Sequence, residues 1–359
     1  MIVLGIESSC DETAAALLRD GHEVLASRIS SQIKLHAAYG GVIPELAARE
    51  HLKNISPLID ATFAQAGIGL QEVEALAVTN RPGLIPALLV GNSYAKGLAL
   101  ANRLPLLGVN HFEAHIYAAF LNQPGLLQNP ANFPLLALVV SGGHTALVLV
   151  QAEGRAELLG STLDDAAGEA LDKAAKILNL GYPGGPIIER LAKNGDPQSY
   201  SFPRALSGAS GKATPREHRF NFSFSGVKTA LLYAVKERRL NEQQLADVLA
   251  SYQAAVMEVL LSKSMAAAEE YKVPMLCLCG GVACNGYLRR RFQEECQKQE
   301  KQLLLAEPAC CTDNAMMVAG LAWHYFKHGL QDDLSLPVYA RLPEKLPKFP
   351  FAPEFQAVK

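Results

Sequence analysis

Residues 3–18, VLGIESSCDETAAALL, decide the fold. They run from a short apolar strand, VLGIE, through a polar bend, SSCDET, into a second apolar run, AAALL, the pattern of a β-hairpin that opens a sheet. The design returns at residues 135–150 as LLALVV, SGGHT and ALVLV. A recurrence after roughly 130 residues is the spacing of duplicated domains rather than of a solenoid of short repeats. Two related α/β lobes are expected.

The segments around the two hairpins fit alternating strands and helices. After the first come a helical stretch at 44–67, PELAAREHLKNISPLIDATFAQAG, a strand ALAVT, a bend RPGLIP, a small-residue helix LLVGNSYAKGLALAN and a strand PLLGV. After the second come LDDAAGEALDKAAKILNL, helical by its apolar spacing and stopped by GYPGG, and a long helical stretch from Asn241 to Tyr271. Strand PMLCLC, bend GGVACN, basic helix GYLRRRFQEECQKQ, strand LLLAEP and helix CTDNAMMVAGLAWHYF follow and are expected to complete the second lobe. The break between lobes falls in NQPGLLQNPANFP, residues 122–134. The expected domains are 1–128, 129–345 with a Ser-, Gly- and Pro-rich insertion near 196–219, and a tail at 346–359.

Composition narrows the function classes. With 359 residues, 49% hydrophobic and 19% charged, the chain can bury a large core. The opening MIVLGIESSCDET has no basic leader, and no run of about 18 uninterrupted apolar residues occurs, so a cytoplasmic protein is expected. Seven cysteines without framework spacing fit a reducing compartment, and Cys277 and Cys279, alternating onto one strand face, read as a buried reduced pair. A net charge of −2 argues against wholesale attraction to nucleic acid, so any such site is a local patch.

Two histidines stand four apart in NHFEAH, residues 110–115. On a helix, His111 and His115 lie within about 40° of each other and can share a metal ion. Glu113 lies about 200° from His111, on the opposite face. In the zinc-protease signature the glutamate directly follows the first histidine, so a metalloprotease is disfavoured here. Asp313, just before a helix in CTDNA, is the best candidate for a third ligand, with a plain N-cap as the competing role. SGGHT, YPGGP and CGGVACN offer backbone N–H groups suited to phosphate or nucleotide, and none is a P-loop or a dinucleotide fingerprint.

In order along the chain, GIESSCDET, HAAYGGVIPELA, PGLIPALLVG, NHFEAH, VVSGGHT, DDAAGEALDKAAK, YPGGP, FSFSGVKTAL, CGGVACNGYLR and CTDNAM closely resemble the bacterial tRNA N6-adenosine threonylcarbamoyltransferase family, TsaD, from residue 1 to about 325. That resemblance implies two ribonuclease-H-like lobes of the fold shared by actin, sugar kinases and the Hsp70 ATPase, with a nucleotide cleft between the lobes. It implies transfer of a threonylcarbamoyl group from threonylcarbamoyl-AMP to the N6 amine of the adenosine 3′ of the anticodon, in tRNAs reading codons that begin with adenine. His111, His115 and Asp313 would hold one metal ion. The family's assignment is iron(II), and the ligand types suit zinc about equally.

The same resemblance places Val139, Val140, Ser141, Gly142 and Gly143 around the donor, Asp172, Gly185 and Glu189 beside its ribose and Asn285 near its adenine. Asp11 and Glu12 are candidates for orienting the acceptor or taking its proton, against the alternative of a solvated bend. It further implies work with the paralogue TsaB and the ATPase TsaE, and a homodimer is also open. Basic groups at 236–239, at 289–291 and at Lys212, Arg216 and Arg219 are candidates for tRNA contact, against solvated helix faces. Arg81-Pro82-Gly83 stands where relatives have Gly-Pro-Gly, so charge is expected on the outer face of that bend. Pro86 interrupts the run after it, and Cys284 stands beside Asn285 in place of an alanine. An ATP-dependent sugar or acid kinase of the same fold and a non-catalytic scaffold are the rival functions, and the His-His-Asp set disfavours both.

Overall fold

The computed structural model describes residues 1–206, 218–236, 238–341, 346 and 349–356. The first sheet is built from β1 (Ile2–Glu7), β2 (Glu12–Arg19), β3 (Glu23–Ser31), β4 (Ala75–Arg81) and β5 (Leu106–Asn110), in the order β3-β2-β1-β4-β5. β1 and β2 form the expected antiparallel hairpin, Ile2 opposite Arg19 through Glu7 opposite Ala14. β1 then pairs in parallel with β4, and β4 with β5. Helices α1 (Ile33–Ala37), α2 (Pro44–Ala66), α3 (Ile85–Asn102) and α4 (His111–Ala118) fill the connections. α2 starts with proline in its first turn and stops at Gly67, whose φ of 67° is the left-handed cap that glycine adopts without strain.

The second sheet has β6 (Leu135–Val140), β7 (Thr145–Val150), β8 (Ala156–Ser161), β9 (Met275–Cys279) and β10 (Gln302–Leu305), in the order β10-β9-β6-β7-β8. β6 and β7 are an antiparallel hairpin, and β6 to β9 and β9 to β10 are parallel. Position for position this is the first sheet again, so the recurrence seen in the sequence is a repeat of topology. Its helices are α5 (Ala167–Ile177), α6 (Gly184–Ala192), α7 (Ser225–Val235), α8 (Glu242–Glu270) and α9 (Gly286–Lys298). α5 starts later than apolar spacing suggested, because the two aspartates before it are otherwise engaged. Asp164 accepts from the backbone N–H groups of Phe224 and Ser225 at the start of α7, and Asp165 pairs with Lys173 and Lys228. The YPGGP bend is shorter than it reads, since α6 begins within it at Gly184. α8 is long and apolar enough to cross a membrane by length and composition, but 78% of its apolar window is buried inside the fold, as in a core helix.

Packing divides the chain into one unit of residues 1–130, 151–156 and 306–359 and a second of 131–150 and 157–305. This differs from the sequential division at 128/129. The short α10 (Pro308–Cys311) and α11 (Ala315–Lys327) do not complete the second lobe. α11 packs on β1, β2, β4 and β5 of the first sheet. The alternation of β1 explains why. Ile2, Leu4 and Ile6 join Ile55, Ile59, Val90 and Ala95 in the core beneath α2 and α3. Val3, Gly5 and Glu7 therefore face the other way. A Cβ on Gly5 would lie 2.5 Å from the carbonyl oxygen of Ala315 and 2.8 Å from the backbone nitrogen of Ala319, so glycine lets the α11 backbone rest directly on the strand.

Arg81 also differs from expectation. Instead of charging an open bend it ends β4 with its guanidinium 5.0 Å from the centre of the Tyr339 ring. The segment carrying Tyr339 is tied along the first sheet: Asp332 N donates to Leu106 O, Gly108 N to the Asp332 carboxylate, and Tyr339 N to Asn80 O.

Candidate metal centre

β5 delivers the chain to Asn110, whose side-chain oxygen accepts from the backbone nitrogens of Phe112 and Glu113 at 2.9 and 3.4 Å and so starts α4. His111 is thus the first residue of a helix and His115 stands one turn on. All eight residues of α4 are buried. Asn314 performs the same service for α11, accepting from Met317 N at 3.0 Å. Asp313 is therefore not an N-cap, and its carboxylate is left for the histidines.

The three side chains converge. His115 Nε2 lies 3.1 Å from His111 Nε2 and 3.2 Å from Asp313 Oδ1, and His111 Nε2 lies 3.4 Å from the same oxygen. Bonds of about 2.1 Å meeting at 90–110° separate ligand atoms by about 3.0–3.4 Å. The set fits a metal ion, and among the described residues it is the cluster with that geometry. Burial works against charge on His111, but Asp313 and Glu7 outweigh it and hold its pKa well above the usual histidine value. Burial would raise Asp313, but His111 and then His115 pull it well below the usual carboxylate range. His115 is lowered, by burial first and the His111 charge second. The groups that hold Asp313 low are thus chiefly the two imidazoles.

Glu7 was not singled out from the sequence. It is wholly buried, its Oε2 3.1 Å from His111 Nδ1, and it accepts from the Thr79 hydroxyl and from Ser9 N at 2.5 Å each. Ser9 Oγ is a second partner of His111 Nδ1, at 3.2 Å. With Nδ1–H donating to Glu7, the Nε2 lone pair is turned toward the other ligands, the arrangement that fixes the tautomer of metal-binding histidines. The available signal was one carboxylate closing an otherwise apolar strand, on the same face as Gly5. Glu7→Gln is expected to lower metal affinity about 10- to 100-fold. Titration of metal-free protein with zinc measures this, and an affinity equal to the parent's would show that Ser9 alone orients the ring.

The bend that holds Asp11 and Glu12 belongs to the same unit. His51 of α2 spans it, Nε2 3.0 Å from Cys10 O and Nδ1 2.8 Å from the Thr13 hydroxyl. Asp11 is buried, which replaces the solvated bend that composition allowed. Glu12 accepts from Ser31 Oγ at 2.9 Å, and burial, helped by Asp11 and Asp313, pushes its pKa up to about 9. Glu113 faces away from the ligands, as its position on the helix requires. Its Oε2 accepts from Tyr325 OH at 2.7 Å, and burial pushes its pKa up to about 8.

The substrate-loop candidates gather in the second unit, near the carboxyl ends of β6 and β9. Val139 and Val140 end β6 and are buried, while Cβ atoms on Gly142 or Gly143 would meet nothing within 4 Å. A Cβ on Gly168 would lie 2.6 Å from Ser141 O, so α5 rests its first turn against that bend. Asp172 accepts from Gly184 N at 2.6 Å, at the start of the helix that holds Gly185, and Glu189 accepts from Gly286 N at 2.7 Å. Asn285 is buried, capping α9 through Leu288 N and donating to Gln253 at 2.9 Å. Of the basic candidates, Arg219 pairs with Glu270 and stacks on Phe220, Arg289 donates to Ala283 O and Arg290 is exposed. Lys212 and Arg216 lie outside the described residues.

The sequence profile described as TsaD, tRNA N6-adenosine threonylcarbamoyltransferase, matches residues 23–320. A protein of that name from Syntrophus aciditrophicus is 47% identical over 345 residues, 96% of this chain and 98% of that one. This chain belongs to the TsaD family. Another member, from Geobacter sulfurreducens, is 49% identical over 344 residues, with 96% and 97% of the two chains covered. Among solved structures, component A of the (R)-2-hydroxyglutaryl-CoA dehydratase of Acidaminococcus fermentans superposes with a TM-score of 0.51 at 15% identity, covering 90% of this chain and 98% of that one. Full-length HypF gives 0.56 at 13% identity over 91% of this chain and 56% of its own. Both likenesses concern the fold alone, and they agree with two α/β lobes of the kind the TsaD resemblance implied.

Proposed function

We propose that this TsaD-family chain moves the threonylcarbamoyl group of threonylcarbamoyl-AMP onto the N6 amine of the adenosine 3′ of the anticodon, in tRNAs reading codons that begin with adenine. The observation that carries this is the convergence of His111, His115 and Asp313 from two distant parts of the chain, in a protein whose relatives bear that transferase name. A kinase of the same fold needs a base and magnesium but no pair of imidazoles.

A bound metal, iron(II) by family likeness and zinc by ligand type, would polarise the oxygens of the donor and offset charge as the amine attacks. The chain's own groups supply the rest. N6 of the adenosine forms the new bond to the carbamoyl carbon, the bond from that carbon to the AMP phosphate oxygen breaks, AMP departs, and the amine loses a proton. Glu12, whose pKa burial and then the neighbouring Asp11 and Asp313 raise, is suited to orient the acceptor amine. Asp11 beside it is the group to receive the amine proton. The loop Val139–Gly143 is placed around the donor, and Gly142 and Gly143, beyond the paired strand and Ser141, are its residues suited to turn backbone N–H groups toward phosphate or acyl oxygens. Asp172, Gly185 and Glu189 stand near the ribose and Asn285 near the adenine. The hydrogen bonds that Asp172, Glu189 and Asn285 make shape the loops through which they act.

TsaB and TsaE are the proposed protein partners, with a homodimer as a further assembly. Free cysteines and a tRNA substrate suit the cytoplasm. Transfer of labelled threonine from threonylcarbamoyl-AMP onto unmodified tRNA, with these partners present, tests the activity. Labelled tRNA is expected from the parent and not from Asp11→Ala at the same protein concentration. No labelled tRNA from the parent would exclude the transferase, and full labelling by Asp11→Ala would remove that residue from the chemistry.

A further inference from the structure

α4 uses two opposite faces. His111 and His115, four apart, point to the candidate ion, while Glu113 and Tyr117, also four apart, point the other way. That second face is held by two consecutive residues of α11. Tyr325 OH donates to Glu113 Oε2 at 2.7 Å, and His324 Nε2 lies 3.3 Å from Tyr117 OH, which itself donates to Gly21 O at 3.0 Å. The helix that grips α4 from behind is also the helix that begins two residues after Asp313.

Side-chain packing alone leaves a short helix free to roll by some degrees about its axis, and hydrogen bonds with fixed direction remove that freedom. A roll of α4 would swing both Nε2 atoms away from Asp313 Oδ1 together. Glu113 has no exposed surface, and its Oε1 has no hydrogen-bond partner. Apart from the Tyr325 hydroxyl and the more distant Arg81 charge nothing among the described residues partners the carboxyl, and its unpaired buried oxygen costs stability that a leucine would not.

We propose that Glu113 and Tyr325 are a positioning pair for the metal centre, setting the rotation of α4 so that His111, His115 and Asp313 meet at ligand distance. The inference rests on those three residues being a metal site. The test titrates metal-free full-length protein with zinc against a competing chelating dye and records thermal melting beside it. Tyr325→Phe and Glu113→Leu are each expected to weaken zinc binding about tenfold, and the double variant no more than either alone. Glu113→Gln, which keeps an oxygen able to accept from Tyr325, is expected to stay near the parent. Ile59→Ala, a buried change on α2 on the other side of the sheet from α11, is expected to lower the melting temperature without this loss of affinity. If Tyr325→Phe binds zinc as the parent does, or Ile59→Ala loses as much affinity as Tyr325→Phe, the pair has no positioning role. If His111→Ala also binds zinc like the parent, the metal site itself is wrong and the pair falls with it; if only His111→Ala loses affinity, the site stands without the pair. Should Glu113→Leu fail to fold, Tyr325→Phe, which removes one oxygen atom, decides the matter.

Discussion

Asp313→Ala is expected to empty the metal centre and to slow threonylcarbamoyl transfer by on the order of 10²- to 10³-fold, the equivalent of the several kcal/mol that a polarising ion supplies. The carboxylate is the one anionic ligand. Its Oδ1 lies within 3.4 Å of both imidazole Nε2 atoms, and it is the main group raising the pKa of His111 against burial. Without it, two buried imidazoles point at one place, and the remaining carboxylate, Glu7, stands behind His111 at Nδ1 and not among the ligand atoms. The fold is expected to survive, because Asn314 and not Asp313 caps α11. Elemental analysis of protein purified without air, followed by single-turnover transfer of labelled threonine, measures both effects. Full metal content with an unchanged rate would remove Asp313 from the site.

Gly5→Ala is expected to produce the second large effect, from a residue that touches neither metal nor substrate. The added methyl group would lie 2.5 Å from Ala315 O and 2.9 Å from Ala319 Cβ, and backbone on both sides leaves no flexible group to yield. Overpacking of this kind costs about 1–3 kcal/mol. Because the displaced part of α11 begins two residues after Asp313, metal affinity is expected to fall along with stability. Gly97→Ala is the contrast, since a Cβ there meets nothing within 4 Å on an exposed face of α3. Alanine in a helix interior should stabilise that position by up to about 1 kcal/mol. Urea denaturation midpoints for the two variants measure the difference, and equal stability would show that β1 and α11 do not touch as described.

Pattern alone carried a good part of this molecule. The period-two runs at 3–18 and 135–150 are local consequences of burying apolar residues on a sheet, so both hairpins and the duplication could be read directly. The spacing of His111 and His115 is likewise local geometry, and it placed the two imidazoles together and Glu113 opposite them. Asp313 could be chosen as a candidate but not separated from a helix cap, because that depends on whether the next residue, Asn314, takes the capping hydrogen bond.

What the tertiary structure decided were the pairings between distant parts of the chain. No periodicity announces that α11, the last helix among the described residues, returns to the first sheet and brings Asp313 to His111. The only trace is a glycine at position 5, whose missing side chain is legible once the backbone above it is seen. Glu7 reads as one polar residue at the end of a strand until β1, β4 and α4 are assembled and its carboxylate is found behind His111. Tyr325 and Glu113, far apart in sequence, become a pair for the same reason. Local pattern follows from the conformations that each residue's neighbours allow. Contacts between remote segments follow from which buried surfaces fit one another, and that matching is a property of the folded chain as a whole.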